Sequence, residues 1–363
     1  MIEAKCPLCN AKFYGENYPI KFNVCFDLDG LIKASKMDNI PAITYADAVK
    51  ITNGECYDNV KICIGVIDTG APPKGEMLGI DENRIVARLD TTGEGWIDEI
   101  GHATHVASGL ASEEIETPVG IIRGMCPKAE IVFVKAIGLK GGTLSTVIKA
   151  VELAVEYGAE VLNLSLGSSV DTGGDDPLSK LLDHLAVEHQ IHSAVAVGND
   201  GPFPRTVNTP ATADWVQSVG AVASWGEVAN FSSRGPNVRG EINPVVVAPG
   251  GAGRFGQRSE FIWGETTKES IIDVIMNERY RGLAPLRGTS MATPLVCGAL
   301  AKLKAILKDK ATIQNVRISL MLSSNRSPFP IQDNNRGFGI LNVKKFIEFA
   351  KAFDFSFIPL EII

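Results

Sequence analysis

Several things are scarce in this chain, and each scarcity narrows what it can be. Positive charge is not in excess: 35 Lys and Arg stand against 42 Asp and Glu, a net charge of −7 over 363 residues. That balance gives no electrostatic reason to expect nucleic-acid binding. No run of residues reads as long and apolar enough to cross a bilayer, so no membrane partner is expected. The N-terminus, Met1-Ile2-Glu3-Ala4-Lys5-Cys6, lacks the apolar core of a secretory signal, which suggests a cytoplasmic protein. There is no internal repeat and no low-complexity tract. Cysteine is present seven times, and an odd number fits a reducing compartment better than a closed disulfide framework. Histidine is rarer still, with five residues and none before position 102.

Hydrophobic strands alternate with helical patterns at 146–157 and 178–189, which predicts α/β architecture with a mostly parallel sheet covered by helices on both faces. Four segments then carry the candidate chemistry. Lys61-Ile62-Cys63-Ile64-Gly65-Val66-Ile67-Asp68-Thr69-Gly70 reads as a buried strand that ends in an acid. Asp68 either orients an imidazole there or merely closes the strand as an Asx-turn. Gly101-His102-Ala103-Thr104-His105 opens a tightly packed helix, with His102 as a candidate general base and His105 as a packed, hydrogen-bonded neighbour. Ile191 to Val197 is a further buried strand, followed by Gly198-Asn199. The Asn199 amide either donates to an oxyanion or belongs to an ordinary turn. Leu286-Arg287-Gly288-Thr289-Ser290-Met291-Ala292-Thr293-Pro294 places Ser290 at a helix start, where it is a nucleophile or a simple cap.

Together these segments resemble the subtilase family of serine peptidases. The order Asp68, His102, Ser290 is the family's order. Asn163-Leu164-Ser165-Leu166-Gly167, Asn230-Phe231-Ser232-Ser233-Arg234-Gly235-Pro236 and Val247-Ala248-Pro249-Gly250 add smaller matches, and the likeness runs from about Ile40 to about Phe346. It implies a subtilisin-like three-layer fold and a serine endopeptidase. Asp68, His102 and Ser290 would form the triad, with Asn199 and the Ser290 N–H as oxyanion donors. The alternatives are a catalytically inactive scaffold of the same fold, or a ligase or cyclase using the same acyl-enzyme. Peptide substrate would lie as an added strand between Gly141-Gly142-Thr143 and Ser165-Leu166-Gly167. Asp200 and Asn208 fall near the first specificity pocket and would favour a basic or polar residue there. No cofactor is needed for catalysis. Calcium is compatible with the family, although Thr117 stands where an amide ligand is common in one calcium loop. Ala103 replaces the usual glycine after the histidine.

Two regions fall outside the resemblance. Residues 1–39 form a short cysteine-containing module ahead of a catalytic domain at 40–363. Cys6-Pro7-Leu8-Cys9 resembles one knuckle of a zinc ribbon, with Cys25 and Cys56, or Asp27 in place of Cys56, as candidate partners for a structural zinc. The module is alternatively a short pro-segment. The second region is a charged insertion at 251–287, including Arg254 and Glu278. Its pattern predicts an amphipathic helix over 269–280, with Ile271, Ile272, Ile275 and Met276 on one face, as a lid, a partner-docking element or a plain surface loop.

Overall fold

The computed structural model describes all residues except 16–20, 254–256, 277–278, 326–331, 356 and 363. At its centre lies a sheet of seven strands: β1 (Cys63–Asp68), β2 (Ile85–Asp90), β3 (Glu130–Lys135), β4 (Val161–Leu164), β5 (His192–Ala196), β6 (Gln217–Val222) and β7 (Val246–Pro249). Their spatial order is β7-β6-β5-β4-β1-β3-β2, and every pairing is parallel. Parallel strands need helical crossovers, so both faces are covered, and the near-continuous apolar runs in β1 and β3 follow from that.

The two faces have separate cores. Along β1 the side chains alternate: Ile64 and Val66 join one cluster, Ile67 the other. The first cluster takes in the helices His102–Ala111 and Thr289–Leu307, and the second takes in Leu144–Glu156 and Pro177–His189. Thr289–Leu307 and its short continuation are long and apolar enough to span a bilayer by composition, contrary to the reading from sequence. However, 78% of that apolar stretch is buried in the fold, so it is the core helix its small residues suggest. A Cβ on its Gly298 would come within 2.6 Å of Met125, and its Ala292 methyl lies against Gly250, so bulk would not fit at either place.

The parallel arrangement brings several strand ends to one rim. Leu164 is level with Ile67 on one side and Val195 on the other. Asp68, Ser165 and the Gly198-Asn199 turn therefore emerge side by side, where functional groups gather in open α/β sheets.

The insertion at 251–287 folds differently from the sequence expectation. Phe261–Glu265 and Leu283–Leu286 form an antiparallel pair, and Ala42–Thr44 adds to it in parallel. The helix is confined to Ile271–Ile275, one turn and a half. Ile272 and Met276 are buried but Ile271 is exposed, so the apolar face is only partly used. Arg254 and Glu278 lie outside the described residues.

Candidate active site

His102 begins its helix because Asp98 organises the turn before it. The Asp98 carboxylate accepts from Gly101 N (2.8 Å), Thr104 N (2.9 Å) and Thr104 Oγ1 (2.8 Å). It also accepts from Thr69 Oγ1 at 2.7 Å, and Thr69 Oγ1 in turn accepts from Ala103 N at 3.0 Å. The residue after Asp68 is thus tied to the residue after His102. That tie sets the contact that matters: His102 Nδ1 lies 2.7 Å from Asp68 Oδ1, with both side chains buried. Ala103 is accommodated in the buried helix start, with its N–H satisfied.

The insertion braces the same helix from behind. Thr266 Oγ1 donates to Gly101 O at 2.9 Å, and Thr267 Oγ1 meets Thr104 Oγ1 at 2.6 Å. His105 Nε2 reaches Ile262 O and Ala284 O at 3.2 and 3.0 Å, and its Nδ1 faces the Tyr45 hydroxyl at 3.3 Å. These partners fix a neutral imidazole, with Nε2 donating to carbonyls and Nδ1 accepting. Burial holds its pKa down at about 3. His105 is structural, as its sequence context suggests.

On the opposite side, Ser290 sits in the first turn of its helix. Asn199 Oδ1 accepts from Thr289 N (3.0 Å) and Thr289 Oγ1 (3.1 Å). That grip fixes the amide plane. A Cβ built on Gly288 would lie 3.0 Å from Asn199 Nδ2 and 2.4 Å from the carbonyl oxygen of Cys25. The amide nitrogen and that carbonyl oxygen therefore border the same bare Cα.

The cleft holds the chain's own backbone. Lys21–Val24 is an extended strand lying between Gly142-Thr143 and Leu166-Gly167, antiparallel to both. Gly142 pairs with Phe22 and Thr143 with Lys21; Leu166 pairs with Val24 and Gly167 with Asn23. Cys25 N donates to Ser165 O (3.3 Å), and Ser290 N donates to Cys25 O (3.2 Å). Beyond it, Asp27 N donates to Arg287 O at 2.9 Å, and the Arg287 guanidinium pairs with Asp27 Oδ2 at 2.7 Å. Phe22 is fully buried. The Cys25 thiol rests near Gly167, and burial, with the Asp200 and Asp68 charges, pushes its pKa up. Ser290 Oγ donates to Ser165 O at 2.9 Å, while His102 Nε2 has no hydrogen-bond partner among the described residues.

A cavity of about 540 Å³ adjoins this strand, lined in part by Gly167, Asn199, Asp200 and Asn208. Asn208 Nδ2 donates to Asp200 Oδ2 at 3.0 Å. Every residue expected to bind substrate thus lies on the cleft or on this cavity. Gly141 also borders the strand: a Cβ there would come within 2.5 Å of the Lys21 side chain.

The expected zinc ligands are not brought together as a set. Cys6 and Cys9 are close, but Cys25 lies in the cleft, and Cys56 packs on the other face of the sheet from Cys6. The Cys56 thiol donates to Asn53 O, and its carbonyl accepts from the buried Lys302. Asp27 is engaged as the N-cap of Leu28–Ala34 and by Arg287. Thr117 closes a hairpin, Ile115–Thr117 with Gly120–Ile122, through Gly120 O.

Sequence reading missed Thr69, Asp98 and Arg287. Asp98 had a detectable signal, an acid three residues before Gly101 at a helix start. Arg287 had none, since its partner is 260 residues away.

A buried acid on an imidazole, with a hydroxyl at a helix N-terminus beside a clamped amide, is the equipment of a serine peptidase. Residues 59–339 match the model of the Subtilase family, and the chain belongs to that family. It is 30% identical over 331 residues to the serine protease AprX of Bacillus subtilis, covering 85% of this chain and 71% of the relative. A thermophilic serine proteinase of Bacillus sp. AK1 is 33% identical, over 72% of this chain and 56% of its own. The major intracellular serine protease of Bacillus subtilis is 31% identical, over 68% and 69%.

Proposed function

We propose that this chain is an endopeptidase that cuts extended peptide strands through Asp68, His102 and Ser290, and that residues 21–27 occupy its cleft at rest. The observation carrying this is the Cys25 carbonyl, held by the Ser290 N–H in the position a scissile carbonyl would take. In the reaction Ser290 Oγ leaves Ser165 O and turns to His102 Nε2. It attacks the carbonyl carbon as His102 takes its proton. Asp68 keeps Nδ1 protonated and stabilises the imidazolium. The Ser290 N–H and the Asn199 amide receive the developing oxyanion. The C–N bond then breaks, His102 passes the proton to the leaving amine, and water repeats the sequence to free the acyl group. These steps use protein groups and water alone.

The bound strand also serves as a template for substrate choice. Phe22 fills an apolar site three residues before the Cys25 carbonyl, so a large apolar residue is favoured there. Cys25 occupies the first pocket with a small side chain. Exposed Asp200 at the cavity leaves room for a longer basic or polar one. The Cys25-Phe26 bond is the one presented for self-cleavage. The leaving segment is retained by Asp27 and Arg287, which favours religation over release. The odd number of cysteines, seven, suits a reducing compartment.

The test is labelling by a serine-directed fluorophosphonate, read by intact mass, on wild type, Ser290→Ala, His102→Ala and Asn199→Ala. Only wild type and Asn199→Ala should label. Asn199→Ala should lose about 10²–10³ in peptide turnover, the cost general to an oxyanion donor in this family. Labelling of Ser290→Ala would disprove the assignment of the nucleophile.

A further inference from the structure

The N-terminal hairpin and a distant helix together bring four metal-ligating side chains to one point. Ile2–Lys5 pairs antiparallel with Lys12–Gly15, and the connection between them carries Cys6-Pro7-Leu8-Cys9. Cys6 N donates to Ala11 O and Asn10 N to Cys6 O, closing a tight turn. Within it the Cys6 sulfur is buried, and the backbone N–H groups of Leu8 and Cys9 face it. The helix Pro177–His189 lies against this hairpin and carries His184 and His189. Cys9 Sγ is 3.1 Å from His184 Nε2 and 3.3 Å from His189 Nε2. The donor atoms of Cys6, Cys9, His184 and His189 all lie within 4.8 Å of one another.

We infer that Cys6, Cys9, His184 and His189 form a structural zinc site that fastens the N-terminal hairpin to the catalytic core. Zinc is the metal this set selects: two thiolates and two imidazoles in a closed tetrahedron are a structural zinc shell. Zn–S bonds of about 2.3 Å and Zn–N bonds of about 2.0–2.1 Å give tetrahedral edges of roughly 3.3–3.8 Å. The two sulfur–nitrogen contacts, 3.1 and 3.3 Å, are shorter than the roughly 3.5–3.6 Å edge such a pair would have, so small rotamer shifts would admit the ion. Four protein ligands leave no open position, so the site is not hydrolytic. Phe13 packs on the His184 ring, with centroids 5.2 Å apart, which shields one side and fixes the ring. The pairing explains an otherwise odd distribution. Of five histidines in the chain, two converge on the cysteine pair across about 175 residues of sequence.

The fastening also bears on the cleft, because the same N-terminal region supplies the strand at Lys21–Val24. The zinc site itself stands independently of the proposed peptidase mechanism. The test therefore uses the full Ser290→Ala chain, which cannot digest itself by that mechanism, made without a polyhistidine tag. Metal analysis after dialysis should give about one zinc per chain. Cys9→Ser and His189→Gln should each lower the zinc content at least about tenfold, with the far-ultraviolet circular dichroism retained. Cys25→Ser and Cys56→Ser should leave it unchanged. Cobalt substitution should add a thiolate-to-metal charge-transfer band in the unmutated ligand set and lose it in Cys9→Ser. Protein that stays metal-free after loading under reducing conditions would overturn the inference. So would retention of zinc by a Cys6→Ser/Cys9→Ser double variant. A Cys6–Cys9 disulfide that persists under reductant, seen by intact mass, would overturn it too.

Discussion

If residues 21–27 occupy the cleft at rest, weakening that strand should speed access to Ser290, and Phe22 is the place to weaken it. Its ring is fully buried, in the apolar cluster that includes Leu144 and Leu166. It sits on the strand rather than on the catalytic core, and its pocket can open to solvent once the strand departs. Truncation to alanine therefore removes mostly transfer free energy, about 1.5–3 kcal/mol for a buried large side chain. The full cavity cost of a rigid core is less relevant here, because the released strand leaves no sealed void. Since about 1.4 kcal/mol is tenfold in an equilibrium constant, the open fraction should rise roughly ten- to a hundredfold. The assay is the second-order rate of fluorophosphonate labelling of the full chain, wild type against Phe22→Ala, at one pH and ionic strength. An increase of that order is expected, and because the closed state is the populated one, the unfolding free energy should fall by no more than the same amount, about 1.5–3 kcal/mol. Equal labelling rates in the two proteins would refute the reasoning, because access would then not be limited by the strand.

Two further perturbations test the site and its frame. Gly288→Ala places a methyl 2.4 Å from Cys25 O and 2.8 Å from the Phe26 Cα. These two closest contacts are with the cleft-bound strand, and the third, at 3.0 Å, is with Asn199 Nδ2. With Gly288 at φ +158° the substitution also strains the backbone, so it should lower stability while keeping the fold and abolish turnover of any peptide held in the same way. Circular dichroism with a peptide assay checks both halves, and undiminished turnover would mean that substrates lie elsewhere. His105 and His192 are buried, and burial lowers their pKa values to about 3 and about 4. Below the unfolded value of about 6.5 the unfolded chain takes up these protons and the native one does not. Their effect is therefore a loss of stability as pH falls from about 6.5 towards 4, up to about 1.4 kcal/mol per pH unit for each group. Urea midpoints of Ser290→Ala with and without His192→Gln should diverge over that window, the His192→Gln slope being flatter. Parallel slopes would contradict the buried, neutral state.

The sequence by itself determined the parallel sheet and singled out the segments that carry the candidate chemistry. A strand such as 63–68, apolar on both faces, can only be buried between helices, and the Gly288-Thr289-Ser290 turn can only open one. Local pattern was enough because each of these features is written in consecutive residues. It was not enough for the insertion, where the period around Ile271 and Ile272 resembles a long helix. There the helix stops at Ile275 with Met276 as its cap, the Asp273 carboxylate ties Glu269 N and Gly282 N together around it, and the flanking segments Phe261–Glu265 and Leu283–Leu286 pair as strands.

The tertiary structure alone decided the partners of Cys6 and Cys9, the clamp of Arg287 on Asp27, and the occupant of the cleft. Cys25 looked like a third metal ligand because its spacing from Cys9 is plausible for one. Its neighbours are instead Ser165, Gly167 and Ser290, all more than a hundred residues downstream. Spacing along a chain limits which groups can meet, but only packing decides which ones do. Here both the cysteine pair and the candidate nucleophile find their partners across the breadth of the sheet.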